Sequence, residues 1–133
     1  MDAEPPGATR GGGILVLLDA DDQCPVTLGS KIRSYASARV GARVEVVVAK
    51  REYEAWIFAG VEPYRQHLTR GVEATRCKTL LRNKVQADYN EPRDQVVHTR
   101  LIDVEQAAEH SASFAYLDRC LTRLGEPDRH PRP

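Results

Sequence analysis

The chain carries no excess of charge: 19 basic and 19 acidic residues among 133 leave a formal net charge of zero. No global field draws it to nucleic acid or to acidic membranes, so any nucleic-acid contact must rest on a local basic patch. Long apolar runs are missing too, and none approaches the ~20 residues of a membrane span. No basic segment followed by an apolar one opens the chain, so no secretory signal is read and a cytoplasmic location is expected. Cysteine is scarce. Cys24, Cys77 and Cys120 are odd in number and widely spaced. Without a CxxC pair they suggest neither a zinc ribbon nor a disulfide framework, and reduced thiols are expected. His67, His98, His110 and His130 lie in polar surroundings without metal-ligand spacing. There is no internal repeat.

What the chain does have is one stretch that organises the rest, Gly13-Ile14-Leu15-Val16-Leu17-Leu18-Asp19-Ala20-Asp21-Asp22. Five aliphatic residues at strand length read as a strand buried on both faces, the kind found in parallel sheets covered by helices. In open α/β sheets ligands bind beyond the carboxyl ends of the strands. Asp19 and Asp21 sit at that end, and in extended backbone residues two apart share a face. Two adjacent anions repel, and a divalent cation held by oxygen ligands relieves the repulsion. The plainer alternative is that the acids start a turn or cap the next helix.

Taken in order, residues 1–12 are rich in Pro, Gly and Ala and read as a disordered leader. The strand covers about 13–19. Thr27 is a candidate helix N-cap, with Leu28, Ile32 and Tyr35 marking one face to about Ala38. A second strand follows at Val44 to Ala49, so the first 35 or so ordered residues form a βαβ unit with a parallel pair. Next comes Lys50-Arg51-Glu52-Tyr53-Glu54-Ala55-Trp56-Ile57-Phe58, read as a strand end running into a short helix with Tyr53, Trp56 and Ile57 inward. Glu52 and Glu54 are about 200° apart around a helix, so both cannot face one site. Glu52, nearer the strand end, is the preferred site residue; Glu54 is read as solvated or paired with Lys50 or Arg51. A capped helix whose acids favour its N-terminal dipole is the alternative. Val61 to Gly71 reads as a connection. Glu73 to about Val85 reads as a helix with Cys77, Leu80 and Leu81 inward. Its basic residues Arg76, Lys78, Arg82 and Lys84 form a solvated face or a phosphate-contacting surface. Asp88 to Pro92 is a polar break, and Val96, Val97 and Leu101 suggest a short helix. Asp103 caps a turn over 104–109, and Ser111 or Ser113 caps a last helix. That helix turns Phe114, Leu117, Leu121 and Leu124 inward. Gly125 stops it, and 125–133 is a Pro-rich tail expected to be disordered. One α/β domain over 13–124 is expected, with a parallel sheet flanked by helices and a helical C-terminal half.

With these residues placed, the chain resembles the DUF4276 group of bacterial proteins, which belong to the Toprim-like fold, itself Rossmann-like. The carrying residues are Leu15-Val16-Leu17-Leu18-Asp19-Ala20-Asp21-Asp22 with Cys24-Pro25, then Val46-Val47-Val48-Ala49-Lys50-Arg51-Glu52-Tyr53-Glu54-Ala55-Trp56. Lys78, Tyr89, Leu101-Ile102-Asp103 and Ser111-Ala112-Ser113-Phe114 continue the match. The resemblance covers about residues 13–124. It implies a magnesium-binding acidic site at strand ends, with Asp19 and Asp21 matching the Toprim Asp-x-Asp pair and Glu52 and Glu54 the family's second acidic box. It also implies association with AAA or ABC-type ATPases and a role in defence against phage or other foreign DNA. One departure bears on activity. The Toprim pattern places a glutamate on an earlier strand, whereas here only the leader with Asp2 and Glu4 precedes the Asp-x-Asp strand. A truncated member, a glutamate supplied by another chain and a lost glutamate all fit.

Two functions follow as expectations. In the first, Asp19 and Asp21 hold Mg²⁺ (or Mn²⁺), Glu52 completes the site or acts as base, and Lys50 and Arg51 neutralise phosphate during nuclease chemistry on nucleic acid. No tyrosine has the placement of a topoisomerase nucleophile. In the second, the chain is a non-catalytic partner of an ATPase, and its open sheet edge pairs with another chain or a second copy. A flavodoxin-like fold with capping acids and no metal is the remaining alternative.

Overall fold

The computed structural model describes residues 12–126. The leader and tail read from the sequence lie outside the described residues over 1–11 and 127–133. Two strands, β1 (Ile14–Asp19) and β2 (Val44–Ala49), flank helix α1 (Pro25–Ser37) in the chain. They pair in parallel, with Ile14 opposite Val44 and Asp19 opposite Ala49. Then come only helices: α2 (Glu54–Gly60), α3 (Glu62–Arg65), a 3₁₀ turn (Val72–Ala74), α4 (Cys77–Lys84), α5 (Glu91–Thr99), α6 (Val104–His110) and α7 (Ala112–Gly125). The protein is thus a mixed α/β fold, with a two-stranded parallel sheet and seven helices among the described residues.

The strand expected to be buried on both faces is the wrong one of the two. No residue of β1 is fully buried, and Ile14 and Leu17 are 41% and 42% exposed. β2 is the covered strand. Val44, Val46 and Val48 pack with Leu28, Ile32 and Ala36 of α1. Val47 and Ala49 enter the larger core with Trp56, Phe58, Leu81 and Phe114. Each fully buried valine contributes ~1.5–3 kcal/mol through removal of apolar surface from water. The alternation along β2 sends successive side chains to opposite layers.

Helix starts and faces also depart from the sequence pattern in small ways. The N-cap of α1 is Cys24 rather than Thr27, with Pro25 in the first turn; proline has no N–H to leave unpaired there and its φ suits a helix. Tyr35 is exposed, and Ala36 takes the inner position. In α7, Cys120 is buried while Leu121 is half exposed. The segment from Glu73 divides into the 3₁₀ turn and α4. Every residue of α2 is buried, Glu54 included. α2 packs so closely on the α6 region that a Cβ built at Gly60 meets Ile102 Cγ2 at 2.5 Å. Asp103 caps α6 by accepting from Gln106 N, and Ser111 caps α7 by accepting from Phe114 N. α5 is inside out: Asp94 and His98 are buried, whereas Val96 and Val97 are exposed. No helix among the described residues is long and apolar enough to cross a membrane.

Candidate metal centre

β1 delivers Asp19 to the carboxyl end of the sheet. There its Oδ1 accepts a hydrogen bond from the Tyr53 backbone N–H at 3.0 Å. Tyr53 is the residue before α2, so the strand end and the helix start are joined at this point. The next residue, Glu54, points inward from the first turn of α2 and is fully buried. Glu91 opens α5, whose N-cap Asn90 accepts from Arg93 N. One carboxylate oxygen from each of Asp19, Glu54 and Glu91 lies within 4.8 Å of the other two.

The donors around this triad are few. Tyr89 Oη donates to Glu54 Oε2 at 2.6 Å, and Gln95 Nε2 reaches the same oxygen at 3.2 Å and Glu91 Oε1 at 3.3 Å. Lys78 Nζ forms an ion pair with Glu91 Oε2 at 2.9 Å. Glu54 Oε1 is buried with no hydrogen-bond partner among the described residues. A buried carboxylate oxygen without a donor is costly, since it has lost its water and gained nothing in return. Burial first, and then the Glu54 carboxylate, push the Asp19 pKa up to about 6 against the Tyr53 N–H, which acts the other way. Burial and the carboxylate beside it also hold the Tyr89 hydroxyl well above the usual phenol range. The Glu91 hydrogen bond raises Lys78, keeping it cationic. Three carboxylates that converge here, one of them keeping an oxygen without a donor, could hold a metal ion. Buried Cys77 lies nearby, but burial pushes its thiol up to about 12, so it offers no thiolate to a softer metal.

The residues picked out by sequence are distributed differently. Asp19 is in the triad. Asp21 is exposed, in left-handed backbone with φ 53°, and is not a member of the triad. Glu52 turns to α4, where its Oε1 accepts the Lys78 backbone N–H at 3.0 Å and so caps that helix. Lys50 is exposed and Arg51 half-buried with φ 62°. Glu54, passed over in favour of Glu52, is the acid that reaches the cluster. The expectation that the two sit about 200° apart on a helix does not apply, because Glu52 precedes α2 and only Glu54 lies on it; which of them faces inward was not legible in the sequence. Glu91, at the start of a helix 72 residues after Asp19, gave no local signal. The only hint was an acid in the polar break before a helix, two residues after Tyr89. No known family model, curated protein or solved structure matches the chain.

Proposed function

We propose that the chain is a Mg²⁺- or Mn²⁺-dependent, Toprim-like protein that acts on nucleic-acid phosphodiesters, with Asp19, Glu54 and Glu91 as the cation ligands. One observation carries this reading: three carboxylates converge within 4.8 Å, and the fully buried one keeps an oxygen with no donor. The likeness of the Asp19-Ala20-Asp21 and Glu52-Tyr53-Glu54-Ala55-Trp56 segments to Toprim-like proteins supplies the substrate class. When bound, the cation would polarise a phosphate oxygen and activate water. The chain's own groups have separate tasks. Tyr89 and Gln95 hold Glu54 in one orientation, and Lys78 fixes Glu91. Arg51, two residues past the end of β2, brings positive charge to a phosphate backbone, whereas Lys50 lines the cavity between α1 and α7.

A second reading is favoured by the placement of Glu52. The acid expected to serve as base is committed to the N-terminus of α4. A cation site without a free base suits a non-catalytic subunit, in which the cation orders the fold and an AAA or ABC-type ATPase performs the turnover.

The test is a titration of Mg²⁺ and Mn²⁺ into the purified chain by calorimetry and melting temperature, with Asp19→Asn and Glu54→Gln in parallel. Saturable binding that both variants lose supports the site; its absence in the parent chain sinks it. Single- and double-stranded DNA and RNA are then offered with Mn²⁺. Cleavage abolished by Glu54→Gln supports the enzyme, and cation binding without cleavage supports the subunit.

A further inference from the structure

The other face of the β2 end holds a cavity of ≈590 Å³ that the cation chemistry does not use. Its walls are α1, through Pro25, Val26 and Ser30, and α7, through Ala112, Ser113 and Tyr116; its floor is β2 at Val46, Val48 and Lys50. The volume falls in the range of about 300–1,000 Å³ of ligand sites.

The floor is a strand edge. In β2 the carbonyls of Arg43 and Ala49 accept from Ile14 N and Ala20 N, so the odd-numbered residues turn their backbone groups toward β1. In extended backbone the direction alternates with each residue. The N–H and C=O groups of Val46 and Val48 therefore face the cavity, and no other strand among the described residues pairs with that edge. Lys50, next in the even series, agrees: its N–H points across to Ser113 Oγ on α7 at 3.5 Å. The amino end of the groove is closed by Arg33, which spans from α1 to Glu45 Oε1 and Tyr116 Oη at 3.3 and 2.7 Å.

We infer that this groove takes a short extended peptide, which adds as a third strand to β2 and ends in a carboxylate beside Lys50. Three observations select that occupant. Backbone groups in alternation ask for another backbone, as in strand addition. The groove walls are apolar, with Val26 77% exposed on one of them, so alternate side chains of the peptide are aliphatic. The open end is cationic: Lys50 stands there, the first turn of α1 holds no acid, and the one carboxylate on the wall, Glu73, already accepts the Ser113 N–H. A second copy of the chain fits less well, because its own strand would arrive flanked by α1 and α7 and the groove admits one strand between two helices.

A library of random hexapeptides displayed with free C-termini is panned against the full chain, and enriched sequences are resynthesised as the acid, the C-terminal amide and the two alternating N-methyl series. The expected result is enrichment of aliphatic-x-aliphatic C-termini. Binding falls about tenfold or more on amidation and on Lys50→Glu. One N-methyl series loses binding while the other keeps it. Because Lys50 is exposed, its variant is expected to melt like the parent. Failure to enrich any sequence over a bead control overturns the inference, as do peptides indifferent to both N-methyl series. A sedimenting dimer that Lys50→Glu dissociates also overturns it, since the edge would then belong to a second copy. None of these readouts involves a cation, so the groove and the acidic triad stand or fall separately.

Discussion

Two unlike regions flank the carboxyl end of one strand, an acidic cluster and a cavity between two helices. On the side of α2, α4 and α5 lies the triad of Asp19, Glu54 and Glu91, of which Glu54 is buried. On the side of α1 and α7 lies the cavity, which Arg33, Lys50 and Glu73 line along with apolar residues. The difference is not one of composition, because both sides contain acids. In the groove each acid is already answered: Glu45 Oε1 accepts from Arg33 and Arg123, and Glu73 Oε1 accepts from Ser113 N. In the triad the donors run short by one, and Glu54 Oε1 is left over. The count of donors per acid, rather than the number of acids, marks the triad as the side that could hold a metal ion.

The comparison breaks most sharply at Glu54. Glu54→Gln is expected to weaken Mn²⁺ by at least the ~10–100-fold that loss of an outer-shell partner costs a metal site. The same change is expected to leave the cation-free chain as stable or more so, because it removes a buried charge one of whose oxygens lacks a donor, while the oxygen facing Tyr89 and Gln95 can be kept. Calorimetry and urea melts together read both signs; loss of stability without loss of Mn²⁺ affinity would make Glu54 a structural residue only.

Tyr89→Phe tests the donor count from the other direction. It deletes the 2.6 Å hydrogen bond to Glu54 Oε2. A hydrogen bond to a charged group is worth ~1.5–3 kcal/mol, and urea melts without cation are expected to show a loss of that size. Saturating Mn²⁺ should restore part of it, whereas an unchanged deficit at all Mn²⁺ concentrations would uncouple Tyr89 from the site.

The pH response sharpens the contrast. Asp19 titrates at about 6 in the folded chain. Its unfolded value is ~3.9. Between the two the folded chain holds a proton that the unfolded chain has released. The contribution of Asp19 to stability therefore falls as pH rises through that window, without cation. A bound cation displaces the proton, so cation affinity rises with pH up to about 6 and levels above it. Asp19→Asn is expected to remove both dependences, and a pH profile that survives the substitution assigns the proton elsewhere.

The smallest effect is expected at Glu52. Glu52→Ala removes the cap on the Lys78 N–H, at ~0.5–2 kcal/mol of stability, and leaves the Mn²⁺ midpoint where it was. If nucleic-acid cleavage is found and Glu52→Ala abolishes it with cation binding intact, the residue has a catalytic task that its capping bond conceals.

How much of this was legible beforehand differs from residue to residue. Local pattern was enough for the parallel strand pair, for the caps at Asp103 and Ser111, and for a charged segment that turns into a helix at Tyr53. Period-two and period-3.6 patterns and capping chemistry act over a few residues, so they can be read from a few residues. Asp19 was legible for the same reason, as an acid at the end of an aliphatic run.

Long-range packing decided the rest. β1 and β2 are equally apolar, yet only β2 is covered, because coverage depends on where α1 and α7 come to lie. α5 presents Val96 and Val97 outward because its Asp94 is claimed by Gln86 and Arg93, and its His98 by Tyr64 and Gln86. The sequence alone determined that an acid ends the first strand and that a helix starts within the charged segment after the second. Only the tertiary structure chose Glu54 for the interior and brought Glu91 to it, since docking of α2 against α4 and α5 sets which side of the helix start is buried and no local rule encodes that docking.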